Sequence, residues 1–273
     1  MKKKWTGERL ETFIYSRDTV DHLHRYAVAQ PYVKGKTVLD IASGEGYGTH
    51  LLSETAAFVY GVDIDESAVE AAKQKYKKEN VRFQQGSTSA IPLDDHSIDI
   101  VISFETIEHH DQHEMMLSEI KRVLRPDGIL IISTPDKLYY SDKRNFNNPF
   151  HVKELYQHEF TSLLSNYFGN QQLLTQHHSN GNSLIADVKS QNVPKFLTGN
   201  YNALQQIDVP GLYLIAIVSD KLFDHTDISI FDGGSIIEKE YQQKIAEIYN
   251  SNSYRFGHFL LLPVKWVKKI FKR

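Results

Sequence analysis

A glycine-rich turn near the start of the chain is the first place where the residues could do chemistry. Residues 37–42 read as a buried strand, and Ser43-Gly44-Glu45-Gly46-Tyr47-Gly48 follows it before a predicted helix. Glycines in such a turn let backbone approach a ligand, because no Cβ stands in the way. The amino end of the next helix adds N–H donors. The unit predicts a binding site for a small polar ligand, and an ordinary tight turn is the competing interpretation.

Two carboxylates beside this turn narrow the class of ligand. Asp63 ends the second predicted strand, nineteen residues after Gly44, where an acid can accept both hydroxyls of a ribose. A dinucleotide-binding turn has the spacing Gly-x-Gly-x-x-Gly, whereas this chain has Gly-x-Gly-x-Gly with Asp40 just ahead of it. Because a carboxylate there would repel a pyrophosphate and attract an ammonium or a sulfonium, the residues point to S-adenosylmethionine.

Acidic residues and histidines follow the fourth predicted strand, where ligands bind in sheets of this kind. The run contains Glu105, Glu108, His109, His110 and Asp111. His109 is the first candidate for a general base, because histidine titrates near neutral pH and a hydroxyl acceptor needs a base near its proton. The alternative is that His109 only packs or hydrogen-bonds beside the bound ligand.

A second pair of candidates lies in a predicted helix over residues 151–167. His151 and Glu154 would fall one helical turn apart on one face, where they could bind substrate hydroxyls or act as a base. Helix capping and lid packing are the alternative for both. We find no carboxylates at metal-ligand spacing and no cysteine, so the sequence predicts no metal.

The elements that must position these residues alternate between short apolar strands and helices up to residue 135. This rhythm predicts an α/β fold built on a parallel sheet with helices on both faces. We expect an N-terminal helical cap over residues 1–35, a ligand-binding domain over 36–220 and a C-terminal helical basic tail over 221–273. Within the middle domain, residues 136–170 are expected to form a substrate loop or lid, and 178–210 an irregular insertion between two late strands.

The motifs together resemble class I S-adenosylmethionine-dependent methyltransferases over residues 20–135. The resemblance is carried by residues 38–48, by Gly61-Val62-Asp63-Ile64-Asp65, by residues 83–88 and by the segments 91–109 and 124–135. It implies a Rossmann-like, mostly parallel sheet whose last strand is antiparallel. Many members have aspartate at position 87, where this chain has serine, so the hydroxyl or the next amide would replace that contact. The implied cofactor-binding residues are Asp40, Ala42, Gly44, Gly46, Gly48, Asp63, Ile64, Ser87, Thr88 and Phe104.

A narrower resemblance implies the acceptor. Residues 22–26, 103–109, 148–160 and 251–269 are similar to bacterial methyltransferases from cell-surface polysaccharide gene clusters. This implies O-methylation of a sugar hydroxyl in a glycan or glycan precursor, with His109, His151 and Glu154 as catalytic candidates. Two alternatives remain: a small-molecule or quinone-type methyltransferase, and a non-catalytic cofactor-fold scaffold of a membrane-associated complex.

Charge divides the chain unevenly. All 34 acidic residues and 25 of the 31 basic residues lie before residue 248, so that part carries −9 and the remainder +6. The acidic body opposes binding to nucleic acid. The basic tail, with Trp266 and apolar residues at helical spacing, suits an anionic membrane surface, and a glycan-assembly enzyme is another partner for 251–273. Without cysteine or a signal-peptide pattern, we expect a cytoplasmic protein, peripheral on the inner membrane face.

Overall fold

The computed structural model describes residues 10–190 and 194–260, which fold around one central sheet. Nine strands form this sheet, in the order β11-β7-β6-β10-β5-β4-β1-β2-β3, and β8 and β9 form a separate hairpin. The strands are β1 (Thr37–Ile41), β2 (Phe58–Asp63), β3 (Val81–Gln85), β4 (Ile98–Phe104), β5 (Leu124–Pro135), β6 (Asn170–Ser179), β7 (Asn182–Asp187), β8 (Phe196–Asn200), β9 (Ala203–Ile207), β10 (Tyr213–Ser219) and β11 (Ser229–Phe231).

Strand direction confirms the predicted fold class. Strands β1 to β5 pair in parallel with one another, whereas β10 pairs antiparallel with both β5 and β6. Strand β7 is antiparallel to β6 and to β11, so seven strands run in one direction and only β7 and β10 oppose them. The sheet is therefore mostly parallel, in a Rossmann-like arrangement.

Helices cover both faces of the sheet, because the apolar side chains of each strand point alternately to the two faces and both faces are buried. Leu39 and Ile41 of β1 pack in one hydrophobic cluster with the helix at His113–Val123, and Val38 packs in a second cluster with the helix at Arg17–Val33. This alternation follows from the two-residue period of a strand, and burial on both faces requires the apolar runs seen in the sequence. The helices are α1 (Arg17–Val33), α2 (Tyr47–Leu52), α3 (Glu66–Lys75), α4 (His113–Val123), α5 (Gln157–Ser165) and α6 (Gly234–Asn250).

The chain reverses its direction of travel across the sheet beside β1. From β1 the sheet grows outward through β2 and β3, and β4 then returns to the other side of β1. Such a switch point leaves a crevice at the carboxyl ends of the strands, where ligands bind in open α/β sheets. The topology therefore places a crevice next to the glycine-rich turn.

Three sequence-based predictions differ from the structure. Within the helical cap predicted over residues 1–35, the described helix begins only at Arg17, because Ser16 caps it by accepting a hydrogen bond from the Thr19 amide. The helix predicted from residue 151 begins only at Gln157. Residues 178–210 are not an irregular insertion: they contain β7, which extends the main sheet, and the β8–β9 hairpin. The domain divisions at 35 and 220 remain predictions.

Residues 252–260 are helical, but the amphipathic part of the tail, residues 263–273, lies outside the described residues. Among the helices that the structure describes, none is both long and apolar enough to cross a membrane. The tail's interaction with a membrane thus stays a prediction from its sequence.

Candidate active site

A cavity of about 510 Å³ opens at the carboxyl ends of the parallel strands. Its walls come from the segments that follow β1, β2, β3 and β4, and from the first helix. A volume of this size is typical of small-molecule and cofactor sites. The predicted site residues that line it are Ala42, Gly44, Asp63, Ile64, Ser87, Thr88, Phe104 and His109.

Asp63 joins the glycine-rich turn to the end of β2. Its Oδ2 accepts a hydrogen bond from the Gly44 amide at 2.8 Å, and its Oδ1 accepts one from the Asp65 amide at 2.9 Å. The residue is only 4% exposed, yet it lines the cavity. Each carboxylate oxygen has a second acceptor site, so Asp63 can also accept hydroxyl protons from a ribose.

The three glycines of the turn have different roles. Gly44 has φ +54°, and a Cβ built on it would meet nothing within 4 Å, so its backbone is open to the cavity. A Cβ on Gly48 would lie 2.0 Å from the Tyr26 side chain, and one on Gly46 would lie 2.7 Å from Phe83. Gly46 and Gly48 do not line the cavity. Both are required by packing behind the turn, and Gly44 alone of the three lines the cavity.

Asp40 also lies behind the cavity. Its Oδ2 accepts a hydrogen bond from Thr49 at 2.7 Å, and its Oδ1 accepts one from the Tyr26 hydroxyl at 3.3 Å. Asp40 is almost fully buried and is absent from the cavity lining. Burial raises the pKa of Asp40 to about 7. Tyr26, whose hydroxyl donates to Asp40, does line the cavity.

The segment after β3 forms another part of the wall. Ser87 and Thr88 line the cavity as predicted, and the Ser87 hydroxyl is 3.0 Å from that of Ser89. Ile64 is 65% exposed, and Phe104 is buried edge-on against Tyr26. These apolar side chains and hydroxyls line one cavity, and such a mixture of groups is typical of cofactor sites.

Glu105 begins the segment after β4, and its backbone conformation is strained. Its sequence position alone assigned this residue no role. Its φ is +51°, and its Oε1 accepts a hydrogen bond from the Ser133 hydroxyl at 2.6 Å. The same Oε1 lies 3.4 Å from Arg25 Nη1. Backbone strain of this kind concentrates at functional sites. Arg25 is fully buried and does not line the cavity, whereas Tyr26 does.

The structure brings together the three predicted catalytic side chains. The rings of His109 and His151 meet edge-on with centroids 5.2 Å apart, and His151 Nδ1 lies 2.5 Å from Glu154 Oε1. Glu108, which the sequence analysis did not select, offers a carboxylate oxygen beside both histidines. Burial, with the nearby charge of Glu105, raises the pKa of Glu108 well above its usual range.

The helical explanation for the His151–Glu154 pair is wrong, although the contact exists. Both residues lie in an irregular segment before α5. The amides of Val152 and Lys153 donate to the Glu108 carbonyl at 2.8 and 3.1 Å. These two hydrogen bonds, and not a helix, hold the segment against the end of β4.

His151 lines a second cavity, of about 590 Å³. Most of its lining side chains are polar or charged, and they come from the expected substrate loop. They include Lys137, Ser141, Asp142, Asn145, Asn147, Lys153 and Glu154. Because His109 lines the first cavity and touches His151, the histidine pair stands between the two cavities.

Some residues that line the first cavity were not predicted from the sequence. His22, Glu45 and Tyr47 line the first cavity, and Tyr47 hydrogen-bonds to His22 at 2.9 Å. Glu45 accepts a hydrogen bond from the Thr12 amide at 2.7 Å, which draws the N-terminal segment toward the cavity mouth. The acidic residue inside the glycine-rich turn, Glu45, and a histidine three residues before Arg25, His22, were the available signals.

Residues 39–132 match the family described as a methyltransferase domain. A probable S-adenosylmethionine-dependent methyltransferase of Mycolicibacterium smegmatis is 40% identical over 131 residues, 48% of this chain and 50% of that protein. A counterpart from Mycobacterium tuberculosis is 37% identical over 166 residues, 58% of each protein. The chain thus matches only a little over half the length of these relatives.

Two less similar relatives have names that specify an acceptor. A fatty-acid O-methyltransferase of Mycolicibacterium smegmatis is 29% identical over 120 residues, 41% of this chain and 44% of that protein. A phthiotriol/phenolphthiotriol dimycocerosates methyltransferase of Mycobacterium tuberculosis is 30% identical over 115 residues, 41% of this chain and 42% of that protein. Neither match extends beyond half of either protein.

Solved structures confirm the fold. An S-adenosylmethionine-dependent methyltransferase of Thermotoga maritima superposes with a TM-score of 0.55 at 18% identity, covering 75% of this chain and 91% of that one. The YcgJ protein of Bacillus subtilis gives a TM-score of 0.52 at 23% identity, covering 74% of this chain and 100% of that one. The fold and the family match agree: residues 39–132, which are similar to a methyltransferase domain, lie within the Rossmann-like sheet.

Proposed function

We propose that this chain transfers a methyl group from S-adenosylmethionine to a hydroxyl oxygen, and that the acceptor is a sugar hydroxyl of a glycan or glycan precursor. The observation that carries the proposal is the histidine pair His109–His151, which stands between a cofactor-sized cavity and a polar cavity. Asp63 and Gly44 provide the contacts for the cofactor in the first cavity.

The bound cofactor supplies an electrophilic methyl group on a sulfonium. The residues of the chain then have to orient the acceptor oxygen and make its proton removable. His109 Nδ1 faces the Phe150 carbonyl at 3.0 Å, so in the neutral ring Nδ1 carries the proton and Nε2 the lone pair. Glu154 holds His151 in the same way. We propose that this cluster binds and activates the acceptor hydroxyl.

The polar lining of the second cavity favours a hydroxylated acceptor over an apolar one. Asn145, Asn147, Ser141 and Asp142 provide hydrogen-bonding groups beside His151, whereas a quinone or fatty-acid pocket should be mainly apolar. A lipid acceptor is the second candidate, because two relatives are named for lipid substrates. A scaffold without activity would bind the cofactor but transfer nothing.

The test is methyl transfer from S-adenosylmethionine carrying an isotopically labelled methyl group. Acceptors would be nucleotide sugars and oligosaccharides on one side, and long-chain fatty acids and phenols on the other, with products identified by mass spectrometry. We expect label in the saccharides, because their hydroxyls match the polar cavity. Label confined to the fatty acids or phenols would replace the glycan acceptor by a lipid one. Cofactor binding without transfer to any acceptor would favour the scaffold.

We also propose that residues 251–273 bind an anionic membrane surface on its cytoplasmic side, where glycan-assembly enzymes could be neighbours. Deleting residues 263–273 removes five basic side chains and Trp266. We expect at least about tenfold weaker binding to vesicles containing anionic lipid, because each basic residue near such a surface contributes about 1 kcal/mol. Co-sedimentation with the vesicles measures this, and cofactor affinity should not change.

The matched control replaces Lys239 and Lys244 of α6 by glutamine. This removes basic charge outside residues 251–273, and vesicle binding should fall much less than on deletion. Vesicle binding by the truncated chain equal to that of the full chain would contradict the membrane proposal.

A further inference from the structure

Three side chains that can bind metals meet beside the cavity that holds the cofactor. Glu108, His109 and His151 each offer one ligand atom, and these atoms lie within 4.8 Å of one another. Glu108 and His109 lie in the segment between β4 and α4, whereas His151 lies in the loop before α5. Atoms this close together could all contact one cation placed between them.

The carboxyl of Glu108 has an oxygen that needs a partner. Its Oε2 accepts a hydrogen bond from Thr134 at 3.4 Å, but Oε1 has no hydrogen-bond partner within residues 10–190 and 194–260. Glu108 is only 1% exposed. A buried carboxyl oxygen without a partner is costly, and a bound cation would remove that cost.

Both histidines are oriented as metal ligands usually are. A metal-bound histidine donates its second ring N–H to a carbonyl or a carboxylate. His109 Nδ1 faces the Phe150 carbonyl at 3.0 Å, and His151 Nδ1 faces Glu154 at 2.5 Å. The lone pair is then on Nε2 of each neutral ring. For His151 this atom accepts a hydrogen bond from the Asn148 amide at 2.9 Å, which a cation would replace.

The backbone holds the ligand segments together before any cation binds. The hydrogen bonds from the Val152 and Lys153 amides to the Glu108 carbonyl fix the loop that carries His151 beside Glu108. The His151 and Glu154 side chains are only 8% and 9% exposed. A site whose ligands are already positioned loses little conformational entropy on binding.

We propose that Glu108, His109 and His151 bind one divalent transition-metal cation, Zn²⁺ or one of similar ligand preference, and that Glu154 orients His151. Two imidazoles and a carboxylate suit such a cation, whereas Mg²⁺ prefers oxygen ligands. Three protein ligands leave a coordination position open. Resting on the proposed function, that position takes the acceptor hydroxyl and makes its proton easier to remove. Because both Nε2 lone pairs then bind the cation, the proton passes to solvent, and the oxygen takes the methyl group as the sulfonium of the cofactor leaves as a thioether. This replaces the sequence-based expectation of no metal.

Calorimetric titration of the tag-free full chain with Zn²⁺ tests the site, and elemental analysis after dialysis counts the bound ion. We expect about one Zn²⁺ per chain, in keeping with a site of this composition. His109→Ala and His151→Ala should each weaken binding by more than about 100-fold, and Glu154→Gln by about 10- to 100-fold, the usual cost of losing an orienting partner.

The matched control is His158→Ala, which removes an exposed histidine of α5 outside the cluster and should leave Zn²⁺ affinity unchanged. Circular dichroism would show that each variant is folded. No saturable Zn²⁺ binding, equal affinity in the His151 and His158 variants, or tighter binding of Mg²⁺ than of Zn²⁺ would each overturn the metal site. Methyl transfer by a chain that binds no cation would overturn the site and leave the proposed function standing. Zn²⁺ binding without methyl transfer to any acceptor would leave the metal site standing and overturn the proposed function.

Discussion

Replacing Asp63 with alanine is expected to lower the affinity for S-adenosylmethionine by at least about 100-fold, as measured by calorimetry. A hydrogen bond to a charged group contributes about 1.5–3 kcal/mol, and Asp63 can accept one from each ribose hydroxyl. Two such bonds correspond to at least two orders of magnitude in the dissociation constant. The change also removes the acceptor that holds the Gly44 amide, which loosens the turn that the cofactor meets.

Asp99→Ala is the matched control for Asp63→Ala. Asp99 also accepts a hydrogen bond from a backbone amide, that of Thr37 at 2.8 Å, but at the opposite end of the sheet. It should therefore cost comparable stability without changing cofactor affinity. Equal cofactor affinity in the Asp63 and Asp99 variants would mean that the ribose is bound elsewhere.

Replacing Arg25 with methionine is expected to reduce the free energy of unfolding by about 3–5 kcal/mol, because removing one partner of a buried ion pair leaves the other charge uncompensated. Arg25 is 1% exposed. Its Nε donates to Gln176 Oε1 at 2.7 Å, and its guanidinium lies 4.4 Å above the ring of Tyr213. Methionine fills most of the volume but leaves Glu105 and Gln176 without their partner. Urea denaturation followed by circular dichroism measures the loss.

Two further variants separate the buried charge from other effects. Arg125→Met breaks the ion pair with Asp99, in which the arginine side chain is 45% exposed, and should cost no more than about 1 kcal/mol. Adding Glu105→Gln to Arg25→Met removes the uncompensated carboxylate and should recover part of the stability. Equal losses in the Arg25 and Arg125 variants would show that the buried ion pair contributes nothing special.

The cofactor side of the site was predictable because its signals are local. A buried strand, a glycine turn and a second strand ending in an acid are each confined to a few residues. Asp63 and Gly44 could therefore be selected before the fold was known. The same pattern also includes Asp40, Gly46 and Gly48, which lie behind the cavity, so their contact with the cofactor stays a prediction. A sequence shows that a small or acidic residue is required, but not whether the ligand or Tyr26 imposes the requirement.

The acceptor side was predictable only in its components. His109, His151 and Glu154 could be proposed, but the helix invoked to pair His151 with Glu154 does not exist there. The missing parts were Glu108 and the buried Arg25–Glu105 pair, since a carboxyl after a strand looks the same in sequence whether it is solvated or fully buried. Burial depends on every element packed around the residue.

The amino-acid sequence by itself determined the α/β rhythm, the turn that receives the cofactor and the uneven charge, because each depends on neighbours within one or two elements. Only the tertiary structure decided which side chains form the acceptor cluster. His109 and His151 are 42 positions apart in the chain, and they meet because the amides of Val152 and Lys153 bind the carbonyl of Glu108. Backbone donors and acceptors occur at nearly every residue, so no residue pattern marks which of them will pair over that distance.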